Sequence, residues 1–256
     1  MMDRLVFTST TAMSEYRLDR QAMTHELANV STVGFKKAFQ VANRPVRVEG
    51  EGFDSRFLPR AFTSPKINLE DGPRMITGRA LDIAMNEKTV LGVQGDDGTL
   101  GWTRRGDLAV DAEGFLTTSA GNPVLDLSGA PIQLPVGAVS YRFTEDGSLY
   151  VADPSAPENG DQLVTQLLIK DASTTDLARR EDGLLRPLAQ PEDQTDFESG
   201  PGRVSITPGA LEGSNVSAVQ ALVKFIDHMR SFEMQTKVIK EMKDNDSSGA
   251  AMMRLS

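Results

Sequence analysis

The last quarter of the chain sets the strongest constraint on its fold. From Leu211 to Met242 the sequence LEGSNVSAVQALVKFIDHMRSFEMQTKVIKEM opens with turn-forming residues and then runs without glycine or proline. Gly213, Ser214 and Asn215 precede the first apolar position. Ser217 with Gln220 three residues on matches a capping box, so the pattern predicts a helix that starts here. Val216 to Asn245 alone would make roughly 45 Å of α-helical rod. Val216, Val219, Leu222, Val223, Ile226, Met229, Phe232, Val238, Ile239 and Met242 recur at gaps of three and four along most of it, and read as one apolar stripe. Lys224, Asp227, Arg230, Glu233 and Lys237 flank it at spacings that allow intrahelical ion pairs. A stripe of this length has to be buried against something equally long.

Residues 3 to 30 offer a second helical pattern, with Leu5, Ala12, Tyr16, Met23, Leu27 and Val30 at coiled-coil-like gaps and Asp19–Arg20 weakening its centre. That pattern breaks at Ser31, Thr32 and Gly34, where a chain reversal returns Phe35 to an apolar surface. Residues 36 to 72 mix short apolar pairs with proline and arginine and read as an extended connector. From Gly72 to about Val204 the period shortens. Extended runs such as Val90–Val93, Leu108–Val110 and Leu149–Ala152 are punctuated by Asp97-Gly98, Glu113-Gly114, Asp146-Gly147 and Asp182-Gly183, the signature of antiparallel hairpins. The expected fold class is therefore α+β: long N- and C-terminal helices paired as a coiled coil, with an inserted, mainly antiparallel β domain. The expected divisions are 1–35 for the N-terminal helix, 36–72 for the connector, 73–204 for the β domain and 205–256 for the C-terminal helix.

Charge supports that division. Residues 1–40 carry five Lys/Arg against four Asp/Glu and residues 211–256 six against six, whereas residues 41–210 carry 16 against 26. Such an acidic middle argues against nucleic-acid binding, and Arg104-Arg105 is too small a basic patch to reverse it. Cysteine is absent, which removes disulfides and thiolate metal sites. No apolar run approaches the ~18 residues that span a bilayer. Leu5-Val6-Phe7 is too short for the apolar core of a secretory signal, so composition alone suggests a cytoplasmic protein without membrane insertion.

Chemistry is sparse. The two histidines, His25 and His228, both fall in predicted helices. Asp96, Asp97 and Asp146 stand beside glycine, where a carboxylate bonds the turn backbone. Gly92, Gly95, Gly98 and Gly101 lack both the Walker lysine and the dinucleotide-binding spacing. No catalytic, cofactor-binding or metal-ligating residue is expected.

Several phrases together resemble a known family. Leu27-Ala28-Asn29-Val30-Ser31-Thr32-Val33-Gly34-Phe35-Lys36 is similar to the NNLANxxTxGFK signature of bacterial flagellar axial proteins, the rod, hook and hook-associated group, with His25-Glu26 in place of the paired asparagines. Thr77-Gly78-Arg79-Ala80-Leu81-Asp82-Ile83-Ala84 resembles their TGxxLDxA motif and Trp102-Thr103-Arg104-Arg105-Gly106 their YTRxG. Leu211-Glu212-Gly213-Ser214-Asn215-Val216 and Arg230-Ser231-Phe232-Glu233-Met234-Gln235 resemble LExSNV and RxFExQ. Within the group the length, the MDRLVFT start and the intact LEGSNV phrase are most similar to the proximal-rod proteins of the flagellar basal body, with the distal rod as runner-up.

The resemblance implies a structural subunit of the rod that crosses the periplasm, is exported through the flagellar type III apparatus, and polymerises with copies of itself and other rod proteins near the basal-body rings. It implies no cofactor and no enzymatic activity. The expected assembly interface comprises Leu5, Tyr16, Met23, Leu27, Asn29, Gly34, Phe35, Leu211, Asn215, Val216, Val219, Leu222, Ile226, Met229, Phe232 and Ile239. A less favoured reading, from the residues alone, is a helical adaptor whose β domain binds a peptide.

Overall fold

The computed structural model of the 256-residue chain describes residues 13, 16–17, 19–39, 43–47, 57–61, 66–135, 140–152, 161–191 and 194–254. Two compact units emerge. Unit one comprises Met1–Ala28, Gln40–Ser64 and Ser217–Ser256, and unit two comprises Asn29–Phe39 and Pro65–Val216.

Strands follow one another from β1 (Asn43–Arg47) and β2 (Phe57–Ala61) through β3 (Arg74–Ile76), β4 (Ile83–Met85), β5 (Thr89–Gln94), β6 (Leu100–Thr103), β7 (Leu108–Val110) and β8 (Leu116–Thr118). They continue with β9 (Ser140–Phe143), β10 (Ser148–Ala152), β11 (Asp161–Gln166), β12 (Ile169–Asp171), β13 (Leu177–Arg179), β14 (Leu185–Pro187), β15 (Ile206–Pro208) and β16 (Ala210–Glu212). All pairings are antiparallel. In unit one β1 pairs with β2. Unit two is organised on a five-stranded sheet in the order β12-β5-β6-β14-β13, with a three-stranded β11-β10-β9 sheet and three two-stranded ribbons.

The alternation of β5 explains why this sheet has two cores. Val90 joins Trp102, Leu177, Leu185 and Phe197 in one apolar cluster, while Leu91 and Val93 join Ile83, Leu116, Val124 and Leu149 in the other. Trp102 is fully buried, donates its ring N–H to the Thr195 carbonyl at 2.7 Å and meets the Phe197 ring edge-on at 4.8 Å between centroids. The indole's one polar atom is thus satisfied inside the core.

The helical ends require a correction. The C-terminal helix, Ala218–Arg254, is 37 residues long and starts where Ser217 accepts the Gln220 amide at 3.4 Å. Among the described residues it has no equally long N-terminal partner: helix there is confined to residues 13, 16–17 and 19–28, residues 3–12 of the expected helix lie outside the described residues, and a coiled-coil pair of long terminal helices is not found. The Tyr16 carbonyl lies 3.0 Å from His228 Nε2 and the two rings stand 4.9 Å apart. Val219, Leu222, Ile226 and Met229 nevertheless remain 74, 51, 44 and 36% exposed. The sequence pattern itself explains why no seam forms. Each step of three residues falls about 60° short of a full helical turn. Val219, Leu222, Val223, Ile226 and Met229 keep to one side of the rod, but the unbroken threes from Val223 to Phe232 carry the later apolar positions, Val238 among them, away from it, so the stripe does not run the length of the helix.

Candidate functional site

Two features of the described residues bear on function: a buried polar clamp in unit two and the exposed helix of unit one.

The clamp is built from six pieces of chain, at residues 34–37, 68–72, 85–89, 104, 179 and 212–215. Gly34, Phe35 and Lys36 run alongside Glu212 to Asn215: the Gly34 amide donates to the Glu212 carbonyl at 2.8 Å, and the Asn215 amide to the Phe35 carbonyl at 3.2 Å. The Asn215 side chain finishes the join, accepting from the Lys37 amide at 2.8 Å and donating to the Asn68 carbonyl at 2.9 Å. Gly34 sits at φ 68°, and a Cβ there would lie 2.3 Å from the Arg104 carbonyl oxygen, so this position needs glycine for both conformation and space. Phe35 is buried beneath the Arg179 guanidinium, 4.4 Å above its ring, and Arg179 also donates to the Lys36 carbonyl at 2.7 Å.

Glu212 is the centre. Its side chain is fully buried, as is that of Arg104, and that of Lys36 is 1% exposed. Lys36 Nζ donates to Glu212 Oε1 and to the Glu70 carbonyl, both at 2.7 Å. Arg104 binds the same carboxylate through both arms, Nε to Oε2 at 2.7 Å and Nη2 to Oε1 at 2.9 Å, the fork-to-fork geometry that fixes orientation as well as charge. The Gly72 amide adds a 2.9 Å bond to Oε1. Arg104 spends its remaining donors on the carbonyls of Met85 at 3.1 Å, Thr89 at 3.3 Å and Glu87, and on Asp71 Oδ1 at 3.2 Å. Glu87 presents its carbonyl from a left-handed conformation, φ 49°, uncommon for a residue with a side chain.

Two buried cations face one buried carboxylate, and the acid–base behaviour follows. Burial pushes the Glu212 carboxyl up, but the hydrogen bonds and charge of Arg104, then of Lys36, outweigh it and hold the group below the ordinary carboxylate range. For Lys36 burial dominates, the neighbouring Arg104 charge adds to it, and Glu212 offsets only part, so the amine is pulled down to about 8. Both shifts are downward, and they are consistent: the carboxylate is oversupplied with positive charge, and Lys36 is the cation left undercompensated.

The residues expected to form an interface divide between the units. Gly34, Phe35, Leu211, Asn215 and Val216 lie in unit two at or beside the clamp, with Phe35, Leu211 and Val216 buried. Asn29 holds the preceding turn through Thr32, 3.1 Å from its side-chain oxygen. Tyr16, Met23, Leu27, Phe232 and Ile239 are half-buried in unit one, and Val219, Leu222, Ile226 and Met229 are exposed there. Leu5 lies outside the described residues. Lys36, Arg104 and Glu212 were not singled out as a site from the sequence, although each lies within two residues of a glycine in a recognised phrase.

The turn acids do local work. Asp97 Oδ1 accepts from the Thr99 amide at 3.0 Å and hydroxyl at 2.7 Å, which holds its carboxyl below the usual range. Among the described residues no group of three His, Asp or Glu could hold a metal ion.

Comparison with known proteins agrees with this arrangement of motifs. Residues 84–151 match the family model described as flagellar hook protein FlgE/F/G D1 domain, and residues 207–252 match flagellar basal body rod FlgEFG protein C-terminal. The chain is 36% identical over its full length and that of the relative to the flagellar basal-body rod protein FlgF of Escherichia coli (strain K12). It is 35% identical, again over the whole of both chains, to FlgF of Salmonella typhimurium. Similarity to the flagellar basal-body rod protein FlgG of Bacillus subtilis is 26%, over 93% of this chain and 94% of the relative.

Proposed function

The chain belongs to the family of FlgF-like flagellar basal-body rod proteins and is a structural subunit of that rod, and from this premise we propose that it stands in the proximal segment, bound to other copies and to neighbouring rod proteins through the exposed apolar positions of its terminal segments. The observation that supports the assembly surface most directly is Val219, Leu222, Ile226 and Met229 exposed on a 37-residue helix. A helix gains most of its stability from burying an apolar face, and exposed apolar rows of this length mark an interaction surface. Higher identity to the Escherichia coli and Salmonella FlgF proteins than to the Bacillus FlgG supports the proximal over the distal position.

On this reading the work is mechanical, no group acts as a catalyst, and the subunit reaches the rod across the periplasm by way of the flagellar type III export apparatus and meets the basal-body rings only as neighbours. An image reconstruction of isolated basal bodies, with this chain carrying a small tag in unit two, tests the placement. Tag density is expected in the proximal rod; density in the distal segment would overturn the proposal.

A further inference from the structure

The clamp is polar, whereas the two apolar clusters of unit two are built without Glu212, Lys36 or Arg104. It is also the place where the first and last segments of unit two are tied to each other, residues 34–37 to 212–215. Glu212 ends β16, whose partner β3 carries Arg74, Met75 and Ile76, all exposed, with Ile76 at 92%. The β16 side, Ala210, Leu211 and Glu212, is buried, so this two-stranded ribbon is held through its inner strand alone. The charge centre bonds the end of that inner strand, at Glu212. We propose that the Lys36–Glu212–Arg104 cluster is a latch that fixes the incoming segment 34–37 and the outgoing segment 212–216 in register, and that it opens as a unit while the apolar cores of unit two stay folded.

The physical basis is the asymmetry of buried ion pairs. An intact pair contributes modestly, whereas removing one partner leaves a buried charge uncompensated. Without the Glu212 carboxylate two cations would face each other in a dry site, a repulsion relieved when Lys36 gives up its proton or when the segments open and let both reach water. The Arg104 backbone belongs to the loop after β6, but the segments that must move for relief are 34–37, 70–72 and 212–216, which the clamp itself bonds together. Removing Lys36 as well takes away one of the two cations, and Arg104 keeps three carbonyl acceptors and Asp71. The latch therefore predicts that a second substitution repairs the first.

Hydrogen exchange of the full chain read by mass spectrometry tests this with Glu212→Gln, Lys36→Met and the double variant. Glu212→Gln is expected to speed exchange at least tenfold across 34–37 and 212–216 while β5, β6 and β8 keep wild-type protection. Lys36→Met alone leaves both regions protected, and the double variant regains most of the protection lost in Glu212→Gln. Uniform acceleration through β5, β6 and β8 in Glu212→Gln, or a double variant no better protected than Glu212→Gln, would overturn the proposal.

Discussion

Lys36 is buried and doubly bonded, yet it is the cation of the clamp that is least well compensated. Its amine bonds Glu212 and Glu70, yet burial and the adjacent Arg104 bring it down to about 8 from 10.5. Between those two values the unfolded chain holds a proton that the folded chain has released, so this group makes stability rise with pH across that window. Glu212 works at the other end. Its folded carboxyl is depressed, so its contribution is present above the unfolded value near 4.5 and is lost as the pH falls through the folded one. Lys36→Met removes the undercompensated cation while the bidentate Arg104–Glu212 pair remains. We expect its stability at pH 7 to lie within about 1 kcal/mol of wild type, because both arms of Arg104 still compensate the Glu212 carboxylate and no buried charge is left unpaired. The alkaline rise relative to wild type should disappear and the acid loss should persist. Urea unfolding at stepped pH, followed by the fluorescence of the chain's single tryptophan, Trp102, reads both limbs from inside unit two. A loss of more than about 3 kcal/mol at pH 7 would mean that the Lys36 charge itself is required.

At the scale of elements, the C-terminal helix and the hairpin turns are the parts a reader of the sequence can find. Ser217 with Gln220 marks the helix start, and the helix begins at Ala218. Asp97-Gly98, Asp146-Gly147 and Asp182-Gly183 lie between β5 and β6, β9 and β10, and β13 and β14, all antiparallel pairs. These features are local, and local chemistry determines them. The pairings β12 with β5, β15 with β4 and β16 with β3 are not local, and nothing in a short strand names a partner a hundred residues away. The clamp was hidden for the same reason: Lys36 and Glu212 are separated by 176 positions. The helix pairing failed differently, since gaps of three and four look like a stripe until their turn-by-turn drift is followed from Val223 to Phe232. The cap gives a check on the element that was legible. Ser217→Ala removes the side-chain acceptor of the Gln220 amide and should cost the first turn about 1 kcal/mol. Faster amide exchange confined to residues 218–222 is expected, and unchanged exchange there would show that the cap is idle.

For the whole molecule, the separation into two units means that assembly and folding respond to different substitutions. Unit two holds both apolar clusters and the clamp, while the long helix belongs to unit one. Leu222 and Ile226 are about half exposed in the single chain, so replacing both with serine forfeits little buried area there. Burial of the same two side chains against a neighbouring subunit would be worth on the order of 1–2 kcal/mol each, and a polymer multiplies that loss over every copy. The Leu222→Ser/Ile226→Ser variant is therefore expected to leave the Trp102 unfolding transition where it is in wild type. In cells lacking the wild-type chain it should fail to enter isolated basal bodies and fail to restore swimming. A serine pair is preferable to charges, because it does not add repulsion to a chain whose net charge is already −9. Normal incorporation with an unchanged unfolding transition would show that the exposed row on the helix is not the assembly surface. A shifted transition would instead place Leu222 and Ile226 within the folding of unit two, contrary to their position in unit one.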